Sequence, residues 1–301
     1  MFLILSSSIV TCLCILLSVA FYTLLERKVL GYIQIRKGPK MVGFWGVIQP
    51  FSDAIKLFIK EKIILHGSNQ FLFYFAPVLG FFLAMFIWFL YPSNFCVKFI
   101  CWGMLVIFCV SAMNVYAIML AGWTWNSKYA FLGALRAAAQ TISYEVSLLL
   151  ILLFPIFTMY ELSMNMYTLF PVFLVFFPVI FTWFTSSLAE TNRAPFDFAE
   201  GESELVSGFN VEYGGGGFAM LFLAEYANIL FMSMITVVLF SFSSNFFMMV
   251  LQSLMVSMFF LFARGAFPRH RYDLLMNICW KSFLPFSMCV LMLLMVFVNF
   301  N

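Results

Sequence analysis

A chain of 301 residues that is 64% hydrophobic and only 10% charged is excluded from the soluble globular class, where about a quarter of residues are charged. Its formal net charge of +3 is modest, so the information lies in where the charges fall. Apolar segments recur from end to end with no Pro/Gly/Ser-rich linker between them, which predicts one integral membrane domain over 1–301.

The predicted class is all-α, with about eight transmembrane helices over 3–25, 71–91, 99–121, 134–160, 169–188, 218–241, 246–263 and 282–300. Most reach the roughly 20 residues that a helix rising about 1.5 Å per residue needs to cross hydrocarbon. The first span lacks the basic leader of a secretory signal, and Glu26-Arg27-Lys28 follow it; it reads as a retained helix. Between spans one and two, residues 49–62 predict a short amphipathic interfacial helix with Pro50 near its start. Phe51, Ile55, Phe58 and Ile59 form one face, and Ser52, Lys56 and Lys60 the other. Gly214 to Gly217 are expected to loosen the start of the sixth helix.

Eight spans bring both termini to one face and make the loops alternate. Of the 16 Lys and Arg, 15 then fall on the opposite face, with Lys98 alone on the termini side. The positive-inside rule assigns the basic loops, 26–70, 122–145, 189–217 and 264–281, to the cytoplasmic or matrix side.

An ionisable side chain at helix depth costs about 3 kcal/mol or more, so each needs a partner, water or a function. In the fourth span Arg136, Gln140, Tyr144 and Ser147 fall near one face, and Glu145 lies one turn from Thr141. In the fifth, Thr182, Ser186 and Glu190 repeat every four residues; the sixth carries Glu225, Tyr226 and Asn228 about two turns inside its start. Such stripes face protein or a water-filled passage rather than lipid. Glu145, Glu190 and Glu225 are therefore proton-carrier candidates. A structural ion pair explains any one of them equally well, but their common position toward one face favours a network.

The stretch from Glu190 to Leu205 holds Glu190, Asp197, Glu200, Glu202 and Glu204 against a single Arg193. Interleaved Phe196, Phe198, Leu205, Val206 and Phe209 indicate a loop folded back into protein rather than a solvated acidic run. Carboxylates packed this closely cannot all ionise. The basic counterpart is Arg27, Lys28, Arg36, Lys37 and Lys40 with Arg264, Arg269 and Arg271; topology and anionic lipid headgroups account for most of it. The seven cysteines form no C-x-x-C pair and there are two histidines, which disfavours zinc, haem and iron–sulfur sites. The glycine run lacks the Lys-Ser/Thr of a phosphate loop. No nucleophile–base pair is evident, and charges set hard against spans argue against nucleic acid.

The segments Glu26-Arg27-Lys28, Gly31 to Pro39 and Gln49 to Phe58 resemble the first loop of NADH dehydrogenase subunit 1 of respiratory complex I, mitochondrially encoded type. Gly122 to Glu145, Glu190 to Tyr226 and Arg264 to Asp273 resemble the remaining loops, so the resemblance covers essentially the whole chain. It implies a membrane subunit beside the peripheral redox arm, forming the ubiquinone access channel and the start of the proton path. Ubiquinone is then the substrate, with no flavin, iron–sulfur cluster or metal held by this chain. The implied partners are the other complex I subunits and membrane lipids.

By position, the resemblance assigns Arg27, Arg36, Asp53, Arg193, Asp197, Phe198, Arg269 and Arg271 to the quinone channel and its loops. It assigns Glu145, Glu190, Glu200, Glu202, Glu204, Glu225 and Tyr226 to the acidic route into the membrane arm. Ala194 and His270 depart from the Thr and the aromatic residue expected there. The implied location is the mitochondrial inner membrane with both termini on the intermembrane-space side; a bacterial plasma membrane is the alternative. The rival functions are a secondary transporter or ion channel with intramembrane carboxylates, and a purely structural anchor.

Overall fold

The computed structural model describes residues 2–61, 67–92, 102–159, 162, 164, 177–197, 208–210, 213–241 and 245–300. Among these residues there is no strand, and the protein is an all-α membrane protein. In chain order the helices are α1 (Phe2–Ile33), α2 (Gln49–Ile59), α3 (Gln70–Ile87), α4 (Gly103–Trp123) and α5 (Lys128–Met159). They continue with α6 (Phe177–Glu190), α7 (Gly215–Phe240), α8 (Phe246–Ala266), α9 (Tyr272–Ile278) and α10 (Leu284–Phe300). A π turn at Cys279–Phe283 joins α9 to α10.

Seven spans among the described residues are long and apolar enough to cross a membrane: α1, α3, α4, α5, α7, α8 and the joined α9–α10. The expected span 169–188 is represented by α6, whose described part has 14 residues; most of 160–176 lies outside the described residues. Two boundaries differ materially from expectation. α1 runs to Ile33, so Glu26, Arg27 and Lys28 belong to a helix and not to the loop after it. The last run starts at Tyr272 rather than 282, because Lys281 is tolerated on an exposed side of the π turn. The interfacial helix α2 forms as predicted, with Phe51, Ile55, Phe58 and Ile59 exposed along one side.

Helix α7 is the axle of the bundle. It packs against α1, α2, α3, α5 and α8, and at about 1.5 Å per residue its 26 residues extend about 39 Å. Small residues bring neighbours close, as interfaces between membrane helices require. A Cβ on Gly122 would overlap the Cβ of Ala134, so α4 and α5 approach almost backbone to backbone there. Gly215 does more than loosen the start of α7. Its φ of +60° and the 3.0 Å from its absent Cβ to the Lys60 carbonyl oxygen seat α7 on the end of α2.

Polar side chains on this frame point inward. Gln140, Tyr144, Ser147 and Ser186 are fully buried, while Leu13, Leu17, Phe247, Met255 and Phe259 stand exposed on the outer surface. That inversion suits a protein whose outside is lipid or other apolar protein.

Candidate functional site

A cavity of about 470 Å³ opens between α1, α2 and α7. Phe58, Phe218, Phe222 and Leu223 supply apolar wall, and Glu26, Arg27, Asp53, Tyr226 and Arg264 supply the polar end. At the outer part of this wall Arg27 Nη1 donates to Asp53 Oδ2 at 2.5 Å, and Gln49 Nε2 donates to Asp53 Oδ1 at 2.9 Å. Both charged side chains see solvent, so the pair adds at most about 1 kcal/mol.

Deeper in, Glu26 is only 4% exposed. It pairs with Arg264 of α8 and accepts a 2.6 Å hydrogen bond from the Tyr226 hydroxyl of α7. Tyr22 lies edge-on to the Tyr226 ring, with centroids 6.0 Å apart. The Arg193 guanidinium sits 4.3 Å from the centre of the same ring and 3.7 Å from the Glu225 carboxylate. The residues thus form an alternating line: Arg264, Glu26, Tyr226, Arg193, Glu225.

From Glu225 the polar line continues through two further cavities of about 40 Å³ each, both lined by Asn114, Glu190, Thr191 and Asn228. One includes Glu225 in its wall and the other Ser111. Ser111 Oγ donates to Glu145 Oε1 at 3.3 Å. Cationic and acidic groups therefore run from the large cavity to Glu145 across α1, α8, α7, α6, α4 and α5.

The family model for NADH dehydrogenase matches residues 6–295. The chain belongs to the NADH dehydrogenase family. It is 53% identical over 286 residues to NADH-ubiquinone oxidoreductase chain 1 of Aedes aegypti, covering 93% of this chain and 91% of that one. Chain 1 of Anopheles quadrimaculatus is 56% identical over 286 residues, with 93% and 91% covered. The Heterololigo bleekeri protein of the same name is 49% identical over 300 residues, with 96% of each covered.

In this family member the turn after α6 is held from three sides. Asn192 takes a φ of +49°, which ends α6 and reverses the chain; asparagine is among the residues that accept this left-handed conformation. Gln140, fully buried on α5, donates both amide hydrogens across the reversal, to the Ala189 carbonyl at 2.9 Å and the Phe196 carbonyl at 2.8 Å. On the far side the His270 N–H donates to the Pro195 carbonyl at 3.2 Å, and the His270 ring stacks on Phe196 with centroids 5.7 Å apart. Arg269 donates to the Asp197 carbonyl. Below the turn, the Tyr144 hydroxyl donates to the Leu275 carbonyl at 2.9 Å and ties α5 to α9.

The candidate residues fall into groups. Arg27 and Asp53 line the large cavity; Arg193, Glu225, Tyr226, Glu190 and Glu145 follow the polar line inward. Arg36 is exposed and bonds Gln34 at 2.9 Å, and Arg271 faces Asp273 at 3.6 Å with both side chains exposed. Neither is in the cavity wall. Arg269 reaches Asp197 through the Asp197 backbone carbonyl. Phe198, Glu200, Glu202 and Glu204 lie outside the described residues.

Glu26, Ser111 and Asn114 belong to the site but were not among the candidates. The signal for Glu26 was its place four residues after Tyr22 on one helical face. For Ser111 and Asn114 it was two polar residues three apart within an apolar span. Outside the spans, Tyr213 stacks on Phe73 with ring centres 4.6 Å apart, and burial pushes its phenol up to about 12. Its hydroxyl lies within reach of Thr124, which opposes that shift.

Proposed function

We infer that this chain is the membrane subunit of a proton-translocating NADH:ubiquinone oxidoreductase that gives ubiquinone access to the redox arm and begins the proton-coupling path. The relatives bear the name NADH-ubiquinone oxidoreductase chain 1. The observation that carries the mechanistic part is Glu26. This one buried carboxylate belongs both to the wall of the large cavity and to the polar line that leaves it. A charge change in the cavity is therefore one side chain away from the Tyr226–Arg193–Glu225 contacts.

Reduction of a quinone consumes protons as well as electrons. The electrons arrive from other subunits, and the part of this chain is to bind, shield and relay charge. When a proton leaves the groups around Glu26, Arg264 and Tyr226 must rebalance, and the guanidinium of Arg193 transmits the change to Glu225. Two full charges at about 4 Å and an effective dielectric near ~20 interact by about 4 kcal/mol. That is ample to shift a protonation equilibrium, since about 1.4 kcal/mol is a tenfold change. The setting is a mitochondrial inner membrane, with the basic loops on the matrix side and the other complex I subunits covering the exposed apolar faces.

The test uses the assembled complex. A photoreactive ubiquinone analogue should label α1, α2 and α7 around Phe58, Phe222 and Tyr226. Glu225→Gln and Glu145→Gln should each lose NADH-driven proton transport while reduction of a soluble artificial acceptor persists. Normal coupled turnover in both variants refutes the proton-path part of the reading; labelling confined to other subunits refutes the channel part.

A further inference from the structure

Pro77 lies inside α3. Proline has no N–H to donate, so the Phe73 carbonyl four residues earlier lacks the hydrogen bond that a regular helix would give it. Tyr213, just before α7, brings a donor from elsewhere in the chain: its hydroxyl donates to the Phe73 carbonyl at 3.4 Å. The same hydroxyl stands 3.5 Å from Thr124 Oγ1, whose own hydrogen goes to the Ala121 carbonyl at 3.0 Å, so Tyr213 is the donor to both oxygens. Thr124 closes α4, and its carbonyl accepts from the Asn69 N–H at the start of α3 at 3.2 Å. One buried side chain thus reaches the break in α3 and the end of α4 together.

The ring is held as closely as the hydroxyl. It stacks on Phe73 with an interplanar angle of 14° and meets Trp125 edge-on at 5.6 Å. On the α7 side, a Cβ on Gly217 would stand 3.1 Å from Tyr213 Cδ1, so the ring lies on the bare backbone of the first turn of α7. Beside this contact is a cavity of about 130 Å³, with Phe73, Pro77, Gly216 and Met220 in its wall. A Cβ on Gly216 would meet nothing within 4 Å, so close packing does not fix the start of α7 there. Within the next three turns the same helix places Phe218, Phe222 and Tyr226 in the wall of the large cavity.

We propose that Tyr213 is a positioning residue for quinone binding. By donating to the carbonyl that Pro77 leaves open in α3, and by lying on Gly217, it fixes the start of α7 and with it the wall that Phe218, Phe222 and Tyr226 present to the large cavity. The inference rests on the quinone-channel reading above. Tyr213 is not itself in that wall; it acts through the helix that is. Loosening α7 weakens binding of the quinone and leaves the electron-transfer step, which belongs to other subunits, as it was. The effect therefore falls on KM and not on kcat.

The test uses the assembled complex with a short-tailed ubiquinone as substrate. Tyr213→Phe, which removes only the hydroxyl, should raise the quinone KM about two- to fivefold with kcat unchanged. Gly217→Ala, which pushes the ring off α7 and keeps the hydroxyl, should raise it at least about twofold. Gly216→Ala adds the same methyl group one residue away, into open space, and should leave KM as in wild type. Pro77→Ala returns an N–H to the Phe73 carbonyl; in that background Tyr213→Phe should change KM by less than about 1.5-fold. A structural role alone would lower the amount of assembled complex and leave KM in place. An unchanged KM in Tyr213→Phe overturns the proposal, as does an equal rise in the two glycine variants, or a Tyr213→Phe effect undiminished beside Pro77→Ala. Should Tyr213→Phe fail to assemble, the glycine variants decide. The photoreactive ubiquinone analogue separates the positioning role from the channel reading. If it labels α7 around Phe222 while KM ignores Tyr213, the positioning role is refuted and the channel stands. If it labels no residue of α1, α2 or α7 in the wild-type complex, the channel reading fails and the positioning role falls with it.

Discussion

Replacing Glu26 by Gln removes the only charge that this buried side chain presents to Arg264 and leaves the Tyr226 hydroxyl an amide oxygen to donate to. A hydrogen bond to a charged group contributes roughly 1.5–3 kcal/mol, and a neutral one about 1. Breaking a fully buried ion pair costs about 3–5 kcal/mol, but Arg264 keeps about a third of its side chain exposed and water recovers part of that. The expected loss is about 2 kcal/mol in coupled turnover, or roughly thirtyfold in rate. The assay is NADH-driven quinone reduction and proton transport in membranes containing the assembled complex, with a soluble artificial acceptor as control. A double-mutant cycle with Arg264→Gln sharpens it. If Glu26 works through Arg264, the two losses overlap by at least about 1 kcal/mol. Strict additivity, or a Glu26→Gln complex with wild-type coupled rates, refutes the role given to this carboxylate.

Gln140→Leu strips two hydrogen bonds from the reversal at 189–196, and hydrogen–deuterium exchange of the amides of Thr191 to Asp197 should accelerate by about tenfold or more. Unchanged protection there would show that the clamp is idle. Asp53→Asn should barely alter assembly, since its exposed pair with Arg27 contributes under about 1 kcal/mol, yet it should raise the quinone KM; an unchanged KM removes Asp53 from the access route. Gly122→Ala drives a methyl group into Ala134 and should cost about 1–3 kcal/mol, read as loss of assembled complex on native gels. Tyr213, whose phenol burial holds at about 12, stays protonated throughout the accessible range. Tyr213→Phe should therefore leave the pH profile of turnover unshifted between about pH 6 and 9.

Legibility followed the range of the interactions. The amphipathic face of α2 and the polar stripe of α5 are local matters of period 3.6, and both were readable as such. Glu145, Glu190 and Glu225 stood out because a carboxylate in an apolar run is costly wherever the run folds. Glu26 did not, because it sits at the end of an apolar run among Arg27 and Lys28, where a charge is unremarkable. Only the continuation of α1 to Ile33 makes it helical and buried. Arg36 and Arg271 show the converse limit of a motif, which gives a residue's type and not where its side chain points. Their basic segments are characteristic, but their side chains are satisfied by Gln34 and Asp273 nearby, outside the cavity wall.

What the amino-acid sequence by itself determined is the class of molecule: an all-α membrane protein, with its positive charge gathered near the ends of apolar spans and a few carboxylates inside them. Apolar length, helical period and charge placement act over a turn or a span, so they are written in neighbouring residues. What only the tertiary structure decided is which charges meet. Glu26 finds Arg264 across 238 positions and Tyr226 across 200, and Gln140 finds Phe196 across 56. Such partners are chosen by how the helices pack about α7.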